Sequence, residues 1–316
     1  MKRSLIKGLI AAAAVALTAA PALAEFPDKP ITFVVGYSPG GGFDAYARAL
    51  APELEKALGV EVVVENVPGA GGQKGAATIY RADADGYTIG IWNIPGLTVP
   101  QLLGTASGFD LNDVTWLATL GNSRYALAVQ ANSEITSLED LCALGRPFKH
   151  SDTGPASTSS VTAYIAMNLI DCPIVNVTGY KGSTDTIIGL MRGEVDATIK
   201  PIASLNKYVA SGDVKLLMTL EDTPSVEGIP SSAQAGYPDF SKFQVVRVIG
   251  GPPGIPAEVA AKLSDAIMTA ATSQAVTEWS ASSKRPVDPV GPAETVALMD
   301  ELMSFYTQYK DLLANK

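Results

Sequence analysis

The stretch that most constrains this chain is Ile31-Thr-Phe-Val-Val-Gly-Tyr-Ser-Pro-Gly-Gly-Gly-Phe-Asp44, which leads into Ala-Tyr-Ala-Arg48. Ile31, Phe33, Val34 and Val35 form the short apolar, β-branched run of a buried strand. Pro39 and Gly40 to Gly42 break it, because such a cluster permits backbone angles that regular elements exclude. Asp44 stands where an N-cap belongs, ahead of a helical repeat of Ala47, Leu50, Leu54 and Leu58. A strand that turns through glycines into a helix leaves backbone N–H groups unpaired at the helix start, and these suit an anion.

The same alternation continues. Val60–Glu65 reads as a strand, Gly75–Tyr80 as a helix and Tyr87–Trp92 as a third strand that ends at Asn93-Ile-Pro-Gly96. Strands and helices at this spacing predict a parallel sheet with helices on its faces, and its ligand crevice lies beyond the carboxyl ends of the strands. Tyr37 and the Gly40 turn fall at one such end, and Asn93 at another. Further along, Tyr125–Val129 reads as a strand crossing to a second lobe, and a helix begins at Leu138 after Thr136 and Ser137. The run from His150 to Ser160, rich in small and hydroxyl residues, enters an apolar helix over Val161–Ile170 and repeats the logic of the first turn. Strands at Ile174–Val177, Ala197–Ile199, Val214–Met218 and Gln244–Ile249 complete the pattern, with helices at Asp185–Arg192, Ala257–Ser273 and Pro292–Leu313. Two α/β lobes that face each other with such loops make an inter-lobe cleft, a favoured place for a small ligand.

The first 24 residues read as an export signal rather than as part of the fold. Met1 to Lys7 is basic, Leu9 to Ala20 is apolar, and Ala22-Leu23-Ala24 has the form of a cleavage site. A permanent anchor needs about 20 apolar residues, and this run is shorter. Loss of Lys2, Arg3 and Lys7 with the signal takes the formal charge from −9 to −12. An acidic balance of that size argues against nucleic acid as a partner. In an exported chain the two cysteines, Cys142 and Cys172, predict a disulfide, and with no further ligands they do not make a zinc site.

Catalytic signals are weak. His150 is the lone histidine and is expected at the surface, and a nucleophile without a base is poorly activated. Gly69–Gly75 lacks the Gly-Lys-Ser/Thr order of a phosphate-binding loop. Trp92, Trp116 and Trp279 are expected in the core, with Trp92 near the ligand. No cofactor and no metal is expected.

An ordered set of short motifs then resembles the solute-binding receptors of tripartite tricarboxylate transporters, the Bug family. These are Phe26–Ile31, Ser38–Gly41, Asp44, Ala47-Arg48, Val62–Asn66, Pro68–Gly72, Asp85–Thr88, Tyr180–Gly182 and Gly193–Asp196, and the likeness runs from about Phe26 to the C-terminal helices. The resemblance implies a periplasmic type II binding fold, two lobes joined by crossing strands, with no enzymatic activity. Lobe one is expected over 25–126 and 246–316, and lobe two over 127–245. The resemblance also implies that the loops matching Ser38–Gly42 and Thr153–Thr158, including Gly40, Gly41, Gly154 and Ser157, hold one ligand carboxylate. Departures from the family pattern fall at Val67, at Ala156 and at Lys200, where relatives that bind amino acids carry an Asp. Lys200 is therefore expected to meet a second, distal carboxylate, with Arg247 beside it as a bidentate clamp. The expected ligand is a small di- or tricarboxylate, and the expected partners are membrane permease subunits, with the receptor a monomer. A sensor that docks on a two-component kinase is the alternative reading, and an exported hydrolase a remote one.

Overall fold

The computed structural model describes residues 26–155 and 157–314. The export signal, its cleavage site and Ala156 lie outside the described residues. Strands β1 (Ile31–Val35), β2 (Val62–Asn66) and β3 (Thr88–Ile94) run parallel, with β1 in the middle. Helices Gly42–Leu58 and Gln73–Tyr80 make the two crossovers. Alternate side chains of β1 serve different cores. Ile31, Phe33 and Val35 pack with Leu50 and Leu54 of the first helix and with Leu263 and Ile267 of the helix Ala257–Ala271. Val34 points the other way, into the cluster that holds Ile79, Trp92 and Ile94. This two-sided burial is why the run has few polar residues.

The sheet is not wholly parallel. Strand β9 (Gln244–Gly251) lies antiparallel to β3, and β4 (Thr115–Gln130) antiparallel to β9. Strand β4 is 16 residues long, and the expected Tyr125–Val129 strand is only its second half. Its first half pairs with β9, while its second half pairs with β7 (Thr198–Pro201) and β8 (Val214–Thr219). At roughly 3.3 Å per residue such a strand spans about 50 Å, which lets one strand serve both sheets. A register shift falls between Thr119 and Gly121, and Gly121 has φ of 128°, which suits glycine. In the second lobe β5 (Phe148–Ser151) runs parallel to β6 (Ile174–Val177), and a bridge between His150 and Ala197 joins β5 to the chain entering β7.

Three local expectations need correction. Asp44 is not the N-cap: the helix starts at Gly42 after an extended Gly41, and the Asp44 carboxylate reaches back to accept from the Gly40 N–H at 2.8 Å. The second apolar helix begins at Thr158, capped by the Ser157 hydroxyl. The C-terminal helix is divided into Pro292–Thr307 and Lys310–Ala314.

Cys142 and Cys172 form the disulfide, with Cα atoms 5.0 Å apart. It pins the end of helix Leu138–Cys142 to the chain that follows helix Thr158–Asn168. On the chain-entropy account, closing a loop of 30 residues is worth about 3.5 kcal/mol. Replacing both cysteines by serine should therefore lower the calorimetric melting temperature by roughly 7 °C. An unchanged midpoint would show that the crosslink constrains nothing.

Candidate functional site

The ends of β1 and β3 and the starts of helices Gly42–Leu58 and Thr158–Asn168 converge on one cavity of about 40 Å³. By water-sized volume that is room for about three small groups. Gly41, Gly42 and Phe43 enter its wall from one side, and Ser157, Thr158 and Ser159 from the other. The first amides of a helix have no partner within the helix, and its dipole favours negative charge there. Two helix starts of 17 and 11 residues thus face one space.

Each helix start is shaped by a carboxylate of the protein. At the first, Asp44 accepts from Gly40 N, from Arg48 Nε at 2.9 Å and from Asn66 Nδ2 at 2.9 Å, and Arg48 Nη2 also donates to Asn66 Oδ1. Burial pushes the Asp44 carboxyl up, but these donors outweigh it and leave the group below the usual carboxylate range. At the second, Asp152 accepts from the Ser157 and Ser159 hydroxyls, from Thr153 N at 2.6 Å and from Lys200 Nζ at 3.4 Å. Burial again raises this carboxyl, and Lys200 and the serine hydroxyls hold it low. Lys200 is 2% exposed, and burial pulls its ammonium below the ordinary lysine range, against the pull of Asp152.

Polar contacts tie the two sides together. The Asn93 amide donates to Tyr37 Oη at 2.6 Å, Tyr37 Oη donates to Gly71 O at 2.7 Å, and Thr158 Oγ1 donates to Asn93 Oδ1. Gly96 N donates to Thr158 Oγ1 at 2.8 Å. At the rim, Ser38 Oγ donates to Lys181 O at 3.0 Å.

Of the residues singled out in the sequence, Tyr37, Gly41, Gly42, Asn93, Thr153, Ser157, Thr158 and Lys200 line this cavity. Ser38 and Gly40 stand at its rim, against residues 181 and 184. Gly154 is turned toward Gly71. Arg247 is elsewhere: it is 2% exposed, lies over the Tyr46 ring at 4.1 Å and near Phe43 at 5.2 Å, and donates to Ser123 Oγ at 2.7 Å. Phe43 stands between it and the cavity wall, so Arg247 backs the site rather than lining it. Lys200 is neither a solvated lysine nor a free one, since its ammonium also donates to Ser159 Oγ at 2.8 Å. His150 was expected at the surface but is fully buried in β5. Its Nε2 accepts from Ile199 N at 3.0 Å, which leaves Nδ1 to donate to Asn176 Oδ1 at 2.9 Å and fixes a neutral ring. Trp92 is core, 1% exposed.

Sequence reading missed Asp152, Ser159, Phe43, Tyr125, Pro201 and Val245 as wall residues. Asp152 and Ser159 sat within a loop already noticed for its hydroxyls. Val245 arrives through the β4–β9 pairing, and Tyr125 and Pro201 through the pairing of β4 with β7.

Residues 46–297 match the family model described as the tripartite tricarboxylate transporter family receptor. A curated relative from Pseudomonas sp. (strain P51), the UPF0065 protein in the tcbD-tcbE intergenic region, is 30% identical over 288 residues, covering 88% of this chain and 84% of its own length. Among solved structures, a Rhodopseudomonas palustris protein with adipate superposes with a TM-score of 0.82 at 23% identity, over 92% of this chain and 99% of its own. MatC from the same organism, with bound malate, superposes with a TM-score of 0.81 at 23% identity, over 91% and 100%. Both superpositions place this chain in the same two-lobe α/β fold.

Proposed function

Because the chain belongs to the tripartite tricarboxylate transporter receptor family, we propose that it captures a small di- or tricarboxylate between its lobes and hands it to the permease subunits of such a transporter. Members of this family are solute-binding receptors, not enzymes. The observation that carries the ligand class is the meeting of two helix starts and the Lys200 ammonium at a single cavity. One carboxylate sits at the amides of Gly42, Phe43, Thr158 and Ser159, and the distal one takes a hydrogen from Lys200. Two structural neighbours were solved with diacids, malate and adipate. Arg247 acts from behind, holding Phe43 in the wall.

The lobes in this reading are 25–126 with 246–316, and 127–245, with β4 and β9 as the crossing strands. The anion touches both lobes only when they are shut, so its differential affinity stabilises the closed state. The receptor works as a monomer in the periplasm, after cleavage behind Ala24.

Replacing Lys200 by methionine should weaken succinate and glutarate at least tenfold by titration calorimetry, while butyrate changes little. A hydrogen bond from a charged group is worth about 1.5–3 kcal/mol, and about 1.4 kcal/mol is tenfold. Diacid affinity within twofold of wild type would show that Lys200 does not meet the distal carboxylate. A thermal-shift panel on ligand-stripped protein sets the choice of acid, since ligand at about 100 times its Kd stabilises by about 2.7 kcal/mol.

A further inference from the structure

The cavity wall carries two formally charged side chains among the described residues, Asp152 and Lys200, and they are bonded to each other. Asp152 closes β5 and Lys200 lies on β7, brought side by side by the His150–Ala197 bridge. Neither has solvent to screen it: Asp152 is 1% exposed and Lys200 2%. Asp152 is also immobile, because Thr153 N, Ser157 Oγ and Ser159 Oγ all donate to it. Ser159 accepts from Lys200 while donating to Asp152, which closes a ring of three groups. A carboxylate surrounded by donors is held ionised, so the wall is neutral in sum.

We propose that Asp152 sets the charge selectivity of this cavity by neutralising Lys200 from within the protein, so that the distal end of the ligand must accept a hydrogen bond but need not be charged. This rests on the reading above that Lys200 meets the ligand's distal end. An ammonium has three hydrogens, and the bonds to Ser159 and Asp152 leave one for a ligand. A carboxylate that takes it gains the attraction of Lys200 at contact and suffers the repulsion of Asp152, whose oxygen lies 3.4 Å from the same nitrogen on another side, and a buried site strengthens both. An amide or hydroxyl oxygen takes the same hydrogen without either. The pair thus removes part of the advantage that a buried lysine would give a dianion over a monoanion of the same shape. Asp152 is a specificity residue that need not touch the ligand.

The test compares succinate with its half-amide, succinamate, by calorimetry on the full mature chain stripped of ligand. Wild type should bind the two within about fivefold of each other. Asp152→Asn uncaps Lys200 at similar size, and because any loosening of the helix start weakens both ligands alike, it should raise the succinate-to-succinamate ratio at least tenfold. A wild-type preference for succinate above a hundredfold would overturn the proposal without any variant, and so would an unchanged ratio in Asp152→Asn; in both cases the diacid reading stands. If neither protein binds succinate or glutarate, the diacid reading falls and this proposal with it. Succinate binding that appears only in Asp152→Asn would support it.

Discussion

Replacing Gly96 by valine should cost the receptor roughly thirtyfold in affinity while leaving the melting temperature of the ligand-free protein almost unchanged. Gly96 ends the turn after β3, and its N–H donates to Thr158 Oγ1. A Cβ there would lie 2.9 Å from the Thr158 backbone nitrogen and 2.7 Å from its hydroxyl oxygen. Backbone cannot step aside as a side-chain tip can, so the start of helix Thr158–Asn168 must back away from the turn. That movement widens the cavity and breaks the Asn93–Thr158 bond. The clash arises where the two sides meet and leaves each lobe's core intact. Its cost falls on closure, and an equilibrium penalised by about 2 kcal/mol loses about thirtyfold in apparent affinity. Calorimetry with the best ligand of the panel reads the loss, and small-angle scattering should show a larger radius of gyration with ligand present. Wild-type affinity in Gly96→Val would mean that the turn does not need to approach the helix for binding.

How much of this was legible beforehand follows from the range of the interactions. The β1 turn and the presence of a helix after each loop are legible because apolar run, glycine cluster and helical repeat are all local signals, but the first residue of each helix is not. The first half of β4 was not. Gly121, Asn122, Ser123 and Arg124 look like a loop, and they are strand because β9 lies beside them in register. Arg247, which the family resemblance places near the pocket as a clamp, is surrounded by two rings from the Gly42–Leu58 helix and a serine of β4. No spacing along β9 announces that. Lys200 lines the cavity, yet its partner is out of sight in the sequence. Asp152 is 48 residues away and reaches it only through the order of strands in the second sheet. His150 failed for the same reason: its two ring nitrogens are taken by neighbouring strands. Local chemistry marks where a ligand site opens, and the tertiary register decides which charges there are already matched.

A second large effect is expected at Asp44, where the glycine turn is held by an ion. Asp44→Asn should lower the melting temperature at pH 7 by about 5 °C and weaken ligand binding by tenfold or more. The carboxylate accepts from Gly40 N, Arg48 and Asn66 together, and Asn66 in turn donates to Tyr37 O at 2.8 Å. An amide presents one acceptor oxygen instead of two and sets an N–H against donors, so at least one of these bonds is lost. A bond to a charged partner is worth about 1.5–3 kcal/mol, and in a chain of this size each kcal/mol is worth roughly 2 °C or a little more. The loosened turn carries the amides of Gly42 and Phe43 with it, which is why affinity falls as well as stability. The pH dependence has a definite sign. The folded Asp44 carboxyl lies below the unfolded value, which is about 3.9. Its stabilisation is therefore fully present above that value and is lost as pH falls through the lower, folded one. Asp196, held low by Arg146, burial notwithstanding, and Asp152 act in the same direction. Wild type should thus melt progressively lower between about pH 4 and pH 2, and its advantage over Asp44→Asn should shrink across the same interval. A constant gap between the two proteins down to pH 2 would show that the turn is held by its glycines and not by the charge.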